Sequence, residues 1–192
     1  MQYLKKNIGF ILMMIFFAAI IFIPDFKAVI LKVFIKVGLF KPDVKNPGSG
    51  TQGVFTRAPD VELMSSTGEP LNLSRANGKV IFLNFWATWC PSCIAEMPSI
   101  QSLQDKLDNK DLVIFAMVDA DNHLPSSMAF MTKNKYTMPV FVQTGAVPES
   151  LFGGSLPTTV IINKQGQIVW KHEGIGNYDS PEMVKFLNQL SQ

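Results

Sequence analysis

VIFLNFWATWCPSCIAE, residues 80–96, is the stretch that decides the fold. Val80 to Ala87 is a near-continuous apolar run broken only by Asn84, the pattern of a central strand buried on both faces. A helical stretch follows from Pro91 to about Leu107. Cys90 and Cys93 therefore stand where a buried strand ends and a helix begins. Backbone N–H groups and the dipole at that helix start stabilise a thiolate on Cys90, lowering its pKa from about 8.5 toward about 3.5 to 7.5. Cys93 lies one turn along the helix, where it can attack a mixed disulfide formed by Cys90 and release the reduced partner.

Half of a zinc site is the competing reading of Cys-x-x-Cys. Zinc needs two further ligands, and the chain offers only His123 and His172, in neither an HxxxH nor a second CxxC arrangement. No metal is expected, and no cofactor beyond the redox-active Cys90–Cys93 disulfide itself. Two cysteines are also too few to staple a secreted scaffold, so the body must rest on an ordinary hydrophobic core.

Outward from this stretch, strand and helix alternate. Val61 to Met64 and Pro70 to Leu73 read as short strands about the turn Ser65-Ser66-Thr67-Gly68. Leu112 to Val118 reads as a strand, about Ser126 to Lys135 as a helix, and Val140 to Val142 as a short strand. Thr158 to Ile162 and Ile168 to Lys171 flank the turn Lys164-Gln165-Gly166-Gln167. The last helix, Pro181 to Leu190, has Ser180 as N-cap and proline at its first position. The order βαβα then ββα implies an α/β fold whose mixed central sheet carries helices on both faces.

The N-terminal part differs in kind. Ile8 to Ile23 holds no charge in sixteen residues and follows Lys5 and Lys6. It falls slightly short of the roughly 17 to 25 residues of a spanning helix, so a cleaved signal peptide competes with an uncleaved anchor. The absence of small residues at a cleavage site favours the anchor. Residues 28–55 read as an amphipathic segment, with Lys32 and Lys36 on one face, followed by a Pro- and Gly-rich tether. The expected division is an anchor over 1–27, this segment and linker over 28–55, and one globular domain over 56–192. Seven lysines against two acids in the first 45 residues leave that end at +5 and the rest at −3. The basic end suits a cytoplasmic membrane face, placing the domain on the far side, and the mildly acidic body gives no reason to expect nucleic acid as a partner.

NFWATWCPSC resembles the active site of the thioredoxin superfamily. The longer string from Trp89 to Pro98, WCPSCIAEMP, is similar to its membrane-tethered branch, the TlpA/ResA-like thiol-disulfide oxidoreductases. The resemblance spans about residues 56 to 190 and includes Leu156-Pro157-Thr158-Thr159 followed by a hairpin. It implies a thioredoxin fold and an enzyme that reduces or exchanges disulfides in protein substrates. It further implies a bacterial inner-membrane protein with its catalytic domain on the periplasmic side, a membrane electron donor for the dithiol, and cytochrome c maturation as the family's best-known use.

The resemblance also assigns residues. Pro157 would be a cis-proline facing the CxxC, although cis bonds make up only about 5 to 6% of X-Pro bonds and sequence alone reads this one as trans. Leu156 would dock the extended substrate, with Trp89 and Pro91 completing the docking surface, while Trp86 packs in the core. Asn84 stands where cytoplasmic thioredoxins carry a buried acid that takes the proton of the second cysteine. Glu96, three residues after Cys93, would take over that work, although burial statistics alone make it an exposed helix-surface acid. Met128, Met131 and Met138 read as core fillers. Two other functions compete. A peroxiredoxin-like peroxidase needs Pro-x-x-x-Thr-x-x-Cys, and Asn84 rather than Pro stands four residues before Thr88. A non-catalytic binding module leaves the set Cys90, Cys93, Glu96 and Pro157 without a purpose.

Overall fold

The central strand is β4, Val80–Trp86, buried at all seven positions. It runs parallel to β5, Val113–Asp119, in register from Val80 opposite Val113 to Trp86 opposite Asp119. On its other side it pairs antiparallel with β7, Thr158–Ile162, which places Asn84 opposite Thr159. The computed structural model describes residues 10, 13, 14, 56–75 and 78–192. The expected anchor and linker thus lie outside the described residues except at Phe10, Met13 and Met14. No described helix is long and apolar enough to cross a membrane.

The remaining strands are β1 (Thr56–Arg57), β2 (Glu62–Ser65), β3 (Pro70–Asn72), β6 (Val140–Gln143) and β8 (Gln167–Glu173). Together the eight form one mixed sheet in the order β1-β8-β7-β4-β5-β6-β2-β3. Among the described residues from 56 onward the helices are α1 (Pro91–Lys106), α2 (Leu124–Lys133) and α3 (Pro181–Leu190), with a short 3₁₀ turn at Lys110–Leu112. The thioredoxin-like α/β architecture is the expected one.

The helices, however, do not divide between the two faces as expected. Val80, Phe82 and Trp86 of β4 join one core cluster, and that cluster takes in Met97, Ile100 and Leu103 of α1, Met131 of α2, and Met183 and Leu187 of α3. Ile81, Leu83 and Phe85 point the other way, into a cluster built from Leu63, Leu73, Leu151 and other strand and loop residues, with no helical member. Topology explains the one-sided arrangement. The chain steps from β4 to β5 to β6 in one direction across the sheet, and right-handed crossovers made in the same direction put α1 and α2 on the same face. The opposite face is closed by the β2–β3 end of the sheet and the segment around Leu151 and Phe152, whose ring stacks on Phe85 at 4.6 Å.

Met131 and Met138 are core residues, but Met128 is 39% exposed. On a short helix it occupies the face turned from the sheet. At the β7–β8 turn Gly166 has φ +75°, and a Cβ there would come within 2.5 Å of the Ser74 carbonyl oxygen. The freedom of glycine lets the hairpin close against Ser74 just after β3, and the Gly166 carbonyl accepts the N–H of Ala58, just after β1.

Candidate active site

The end of β4 delivers the chain through Ala87, Thr88 and Trp89 to Cys90, which caps α1. Cys90 has extended backbone, its N–H donates to the Ala87 carbonyl at 3.2 Å, and its Sγ accepts the N–H of Cys93 at 3.2 Å. Proline at the first helical position gives up only an N–H that would have had no partner in the helix. Cys90 and Cys93 are joined as a disulfide with their Cα atoms 5.3 Å apart. Cys93 is fully buried and Cys90 is 4% exposed, so what access the pair has is through Cys90. That access is narrower than a surface thiol's because Sγ turns back into the helix start, also meeting Ser92 Oγ at 3.3 Å.

Around this edge lie the residues expected to meet substrate. Trp89 is 64% exposed, and its indole N–H donates to Asp121 Oδ2 at 2.6 Å, which fixes a large apolar surface beside Cys90. Asp121 in turn is held by its own N–H on Asp119 Oδ1, so the loop after β5 braces the tryptophan. Pro91 and Leu156 are half-buried, Pro157 is buried, and the Leu156–Pro157 peptide is cis. The Pro157 carbonyl accepts the N–H of Gly174 at 2.8 Å, tying this turn to the end of β8.

Behind the disulfide is a buried polar group of a different kind. Glu96, one turn after Cys93, has no exposed surface. Its Oε1 accepts from Asn84 Nδ2 at 2.8 Å and its Oε2 from the Gly176 N–H at 3.0 Å. Burial pushes its carboxyl up to about 8, against the opposing pull of these two hydrogen bonds. Asn84 also donates to Thr159 Oγ1 at 2.9 Å, and Thr159 Oγ1 is 2.7 Å from the hydroxyl of Tyr178. Tyr178 is fully buried, and burial together with the charge of Glu96 holds its hydroxyl well above the ordinary phenol range.

The structure thus brings Cys90, Cys93 and Glu96 onto one helix, and Trp89, Pro91, Leu156 and Pro157 onto adjoining segments. Thr159, Gly176 and Tyr178 join this group without any sign in the sequence of their part in it. Thr159 was visible only as part of a motif, while Gly176 and Tyr178 lie between β8 and α3, where no periodicity or spacing singles them out. In the sequence Asn84 stands out for the acid it replaces, and nothing there shows its bond to Glu96.

Residues 54–187 match the Redoxin family. The thioredoxin-like protein YneN of Bacillus subtilis (strain 168) is 34% identical over 133 residues, covering 69% of this chain and 77% of that protein. The thiol-disulfide oxidoreductase ResA of Bacillus thuringiensis (strain Al Hakam) is 31% identical over 135 residues, 70% of this chain and 76% of that one. The crystal structure of StoA from Bacillus subtilis superposes with a TM-score of 0.54 at 25% identity, covering 71% of this chain and 99% of StoA.

Proposed function

This chain belongs to the Redoxin family, as a ResA-like thiol-disulfide oxidoreductase of thioredoxin fold, and from that premise we propose how its residues divide the work. In the reduced enzyme the Cys90 thiolate attacks a disulfide in a protein substrate. The substrate S–S bond breaks, one substrate sulfur leaves as thiolate, and a mixed disulfide joins Cys90 to the other. Glu96 then takes the proton of Cys93, and the Cys93 thiolate attacks Cys90 Sγ. That closes the Cys90–Cys93 disulfide and releases the second substrate thiolate, so two electrons pass from the dithiol to the substrate.

The observation that carries this reading is the placement of Glu96 with no exposed surface, one helical turn from Cys93. A carboxyl whose pKa stands near 8 holds its proton at neutral pH in the disulfide state. It can therefore give that proton to Cys93 when the disulfide is opened and take it back when the disulfide closes, as the two directions of one path require. The direction of net electron flow follows from the potential of the pair against its compartment.

Trp89, Pro91, Leu156 and Pro157 form the docking edge, with Trp89 the apolar contact and the backbone at Leu156 the partner of an extended substrate segment. Residues 1–27 anchor the chain in a bacterial inner membrane, and residues 28–55 tether the domain of residues 56–192 on the periplasmic side. A membrane electron donor reduces the disulfide after each turnover, and cytochrome c maturation is the use that the resemblance supports. The uncharged run Ile8 to Ile23 after Lys5 and Lys6 supports this placement.

The test is substrate trapping in the full chain. Cys93→Ala, which removes the resolving thiol, should accumulate substrates covalently bound at Cys90 and releasable by a small thiol. Cys90→Ala should trap none. Equal trapping by both variants, or by neither, would contradict the assignment.

A further inference from the structure

The contacts of Glu96 continue beyond Asn84 into a set of groups that the reaction as written does not use. Asn84 Nδ2 has two hydrogens, and both are placed: one on Glu96 Oε1 at 2.8 Å, the other on Thr159 Oγ1 at 2.9 Å. Asn84 Oδ1, on the other side of the same amide, is buried without a partner. The Thr159 hydroxyl meets Tyr178 at 2.7 Å. The Tyr178 ring returns toward the other oxygen of the carboxyl, since a Cβ on Gly176 would stand 3.0 Å from the Tyr178 hydroxyl and the Gly176 N–H donates to Glu96 Oε2. The groups set against Glu96 are therefore Asn84 from β4 and Gly176 and Tyr178 from the segment after β8, with Cys93 one turn before it on its own helix.

A carboxylate and a protonated carboxyl ask opposite things of Asn84. Exchanging the two ends of the amide would leave the same heavy-atom distances but turn Oδ1 to Glu96 and Thr159, which suits only a protonated Glu96 and a Thr159 that donates. Nothing within the amide decides between the two orientations. The direction of the Thr159–Tyr178 contact decides it, and either hydroxyl could be the donor there. Where Thr159 donates to Tyr178, its lone pairs are left to accept from Asn84 Nδ2.

We propose that Tyr178 is a positioning residue for the reaction: by accepting the hydrogen of the Thr159 hydroxyl it holds the Asn84 amide with Nδ2 on Glu96, and so keeps that carboxyl shaped to receive the proton of Cys93. The proposal rests on the reading of Glu96 as proton acceptor, and it adds a residue 82 positions beyond Glu96 in sequence. Removing the Tyr178 hydroxyl leaves the Thr159 hydrogen without an acceptor on that side. Its nearest remedy is the reversed amide, which requires Glu96 to keep its proton. The expected sign is therefore a carboxyl that ionises at higher pH.

The experiment follows the resolving step in the full chain. A chromogenic aryl disulfide mixed with the reduced protein releases one aryl thiolate when Cys90 attacks it and a second when Cys93 resolves the mixed disulfide. Tyr178→Phe keeps the ring that meets Phe82 edge-on and removes only the hydroxyl. The midpoint of the second phase should move up by about 0.5 to 1 pH unit, the size that one neutral hydrogen bond's net worth gives. Thr159→Val cuts the same link and should move it the same way, while Thr159→Ser should bring it back toward the parent's. A second phase slowed equally at every pH, or an unmoved midpoint in both Tyr178→Phe and Thr159→Val, would overturn the proposal. Glu96→Gln, run alongside, separates the two levels. If it removes the carboxyl's midpoint while the tyrosine variant leaves that midpoint alone, only the role of Tyr178 falls. If it too changes nothing, the reading of Glu96 falls and the role of Tyr178 with it.

Discussion

The amide of Asn84 donates to the carboxyl of Glu96 at 2.8 Å from the middle of the central strand, where neither residue has exposed surface. A neutral donor in this place lets a single buried carboxyl exist in either charge state. Asn84→Asp would set a second carboxyl beside the first, and two such groups in contact cannot both ionise. The variant should be nearly as stable as the parent at pH 6, where the pair can share a proton. At pH 9 it should lose about 2 to 4 kcal/mol more than the parent does. Urea unfolding at the two pH values checks this, and an equal loss at both would mean that the two side chains do not meet.

The raised carboxyl of Glu96 also makes a prediction about stability with a definite sign. Its folded value, about 8, lies above the 4.5 of an unburied Glu, so the folded protein binds the proton more tightly than the unfolded chain does. The associated stability is fully present below about pH 4.5 and is lost as pH rises to about 8, by at most about 5 kcal/mol. Glu96→Gln cannot ionise and lacks this slope. The oxidised variant should therefore be more stable than the parent at pH 9, and unfolding curves of the two proteins that run parallel from pH 5 to 9 would refute the burial of Glu96.

How much of this arrangement could be read from the chain depended on the range of the interactions. β4 and the start of α1 were legible because burial on both faces and Cys-x-x-Cys are local patterns. Strand β7 and helix α3 were read to their ends, since Pro157 and Ser180 with Pro181 mark them. Strand β1 was missed because Thr56 and Arg57 are exposed and carry no apolar pattern; only pairing with Ile168 and Gln167 makes them a strand. The gathering of α1, α2 and α3 on one face follows from the strand order, which local periodicity does not encode. Only the family resemblance points to a buried Glu96, because its partners Asn84 and Gly176 are 12 and 80 residues away.

Alkylation order tests the division between the two thiols. In the reduced protein at mildly acidic pH, Cys90 should react first and Cys93 only slowly, since Cys90 lies at the helix start and Cys93 is fully buried. Peptide mapping after limited iodoacetamide treatment reports the order. Preferential labelling of Cys93 would reverse their roles.

The domain boundary is testable by expression. A fragment from Thr56 to Gln192 holds both core clusters and every strand of the sheet, so it should unfold cooperatively by itself. Aggregation, or a gradual transition in circular dichroism, would show that residues 28–55 contribute to the fold.

The central claim is that Glu96 takes the proton of Cys93, and stopped-flow kinetics of the resolving step in Glu96→Gln against the parent test it most directly. The near-isosteric change should leave the fold intact and slow release of the second thiolate by roughly 10² to 10⁴, the usual worth of a positioned proton acceptor. The parent's rate should rise with pH as the carboxyl ionises, and the variant should lack that midpoint, its rate following the unassisted ionisation of Cys93. An unchanged rate with an unchanged pH profile would contradict the account and leave the ionisation of Cys93 to some group other than Glu96.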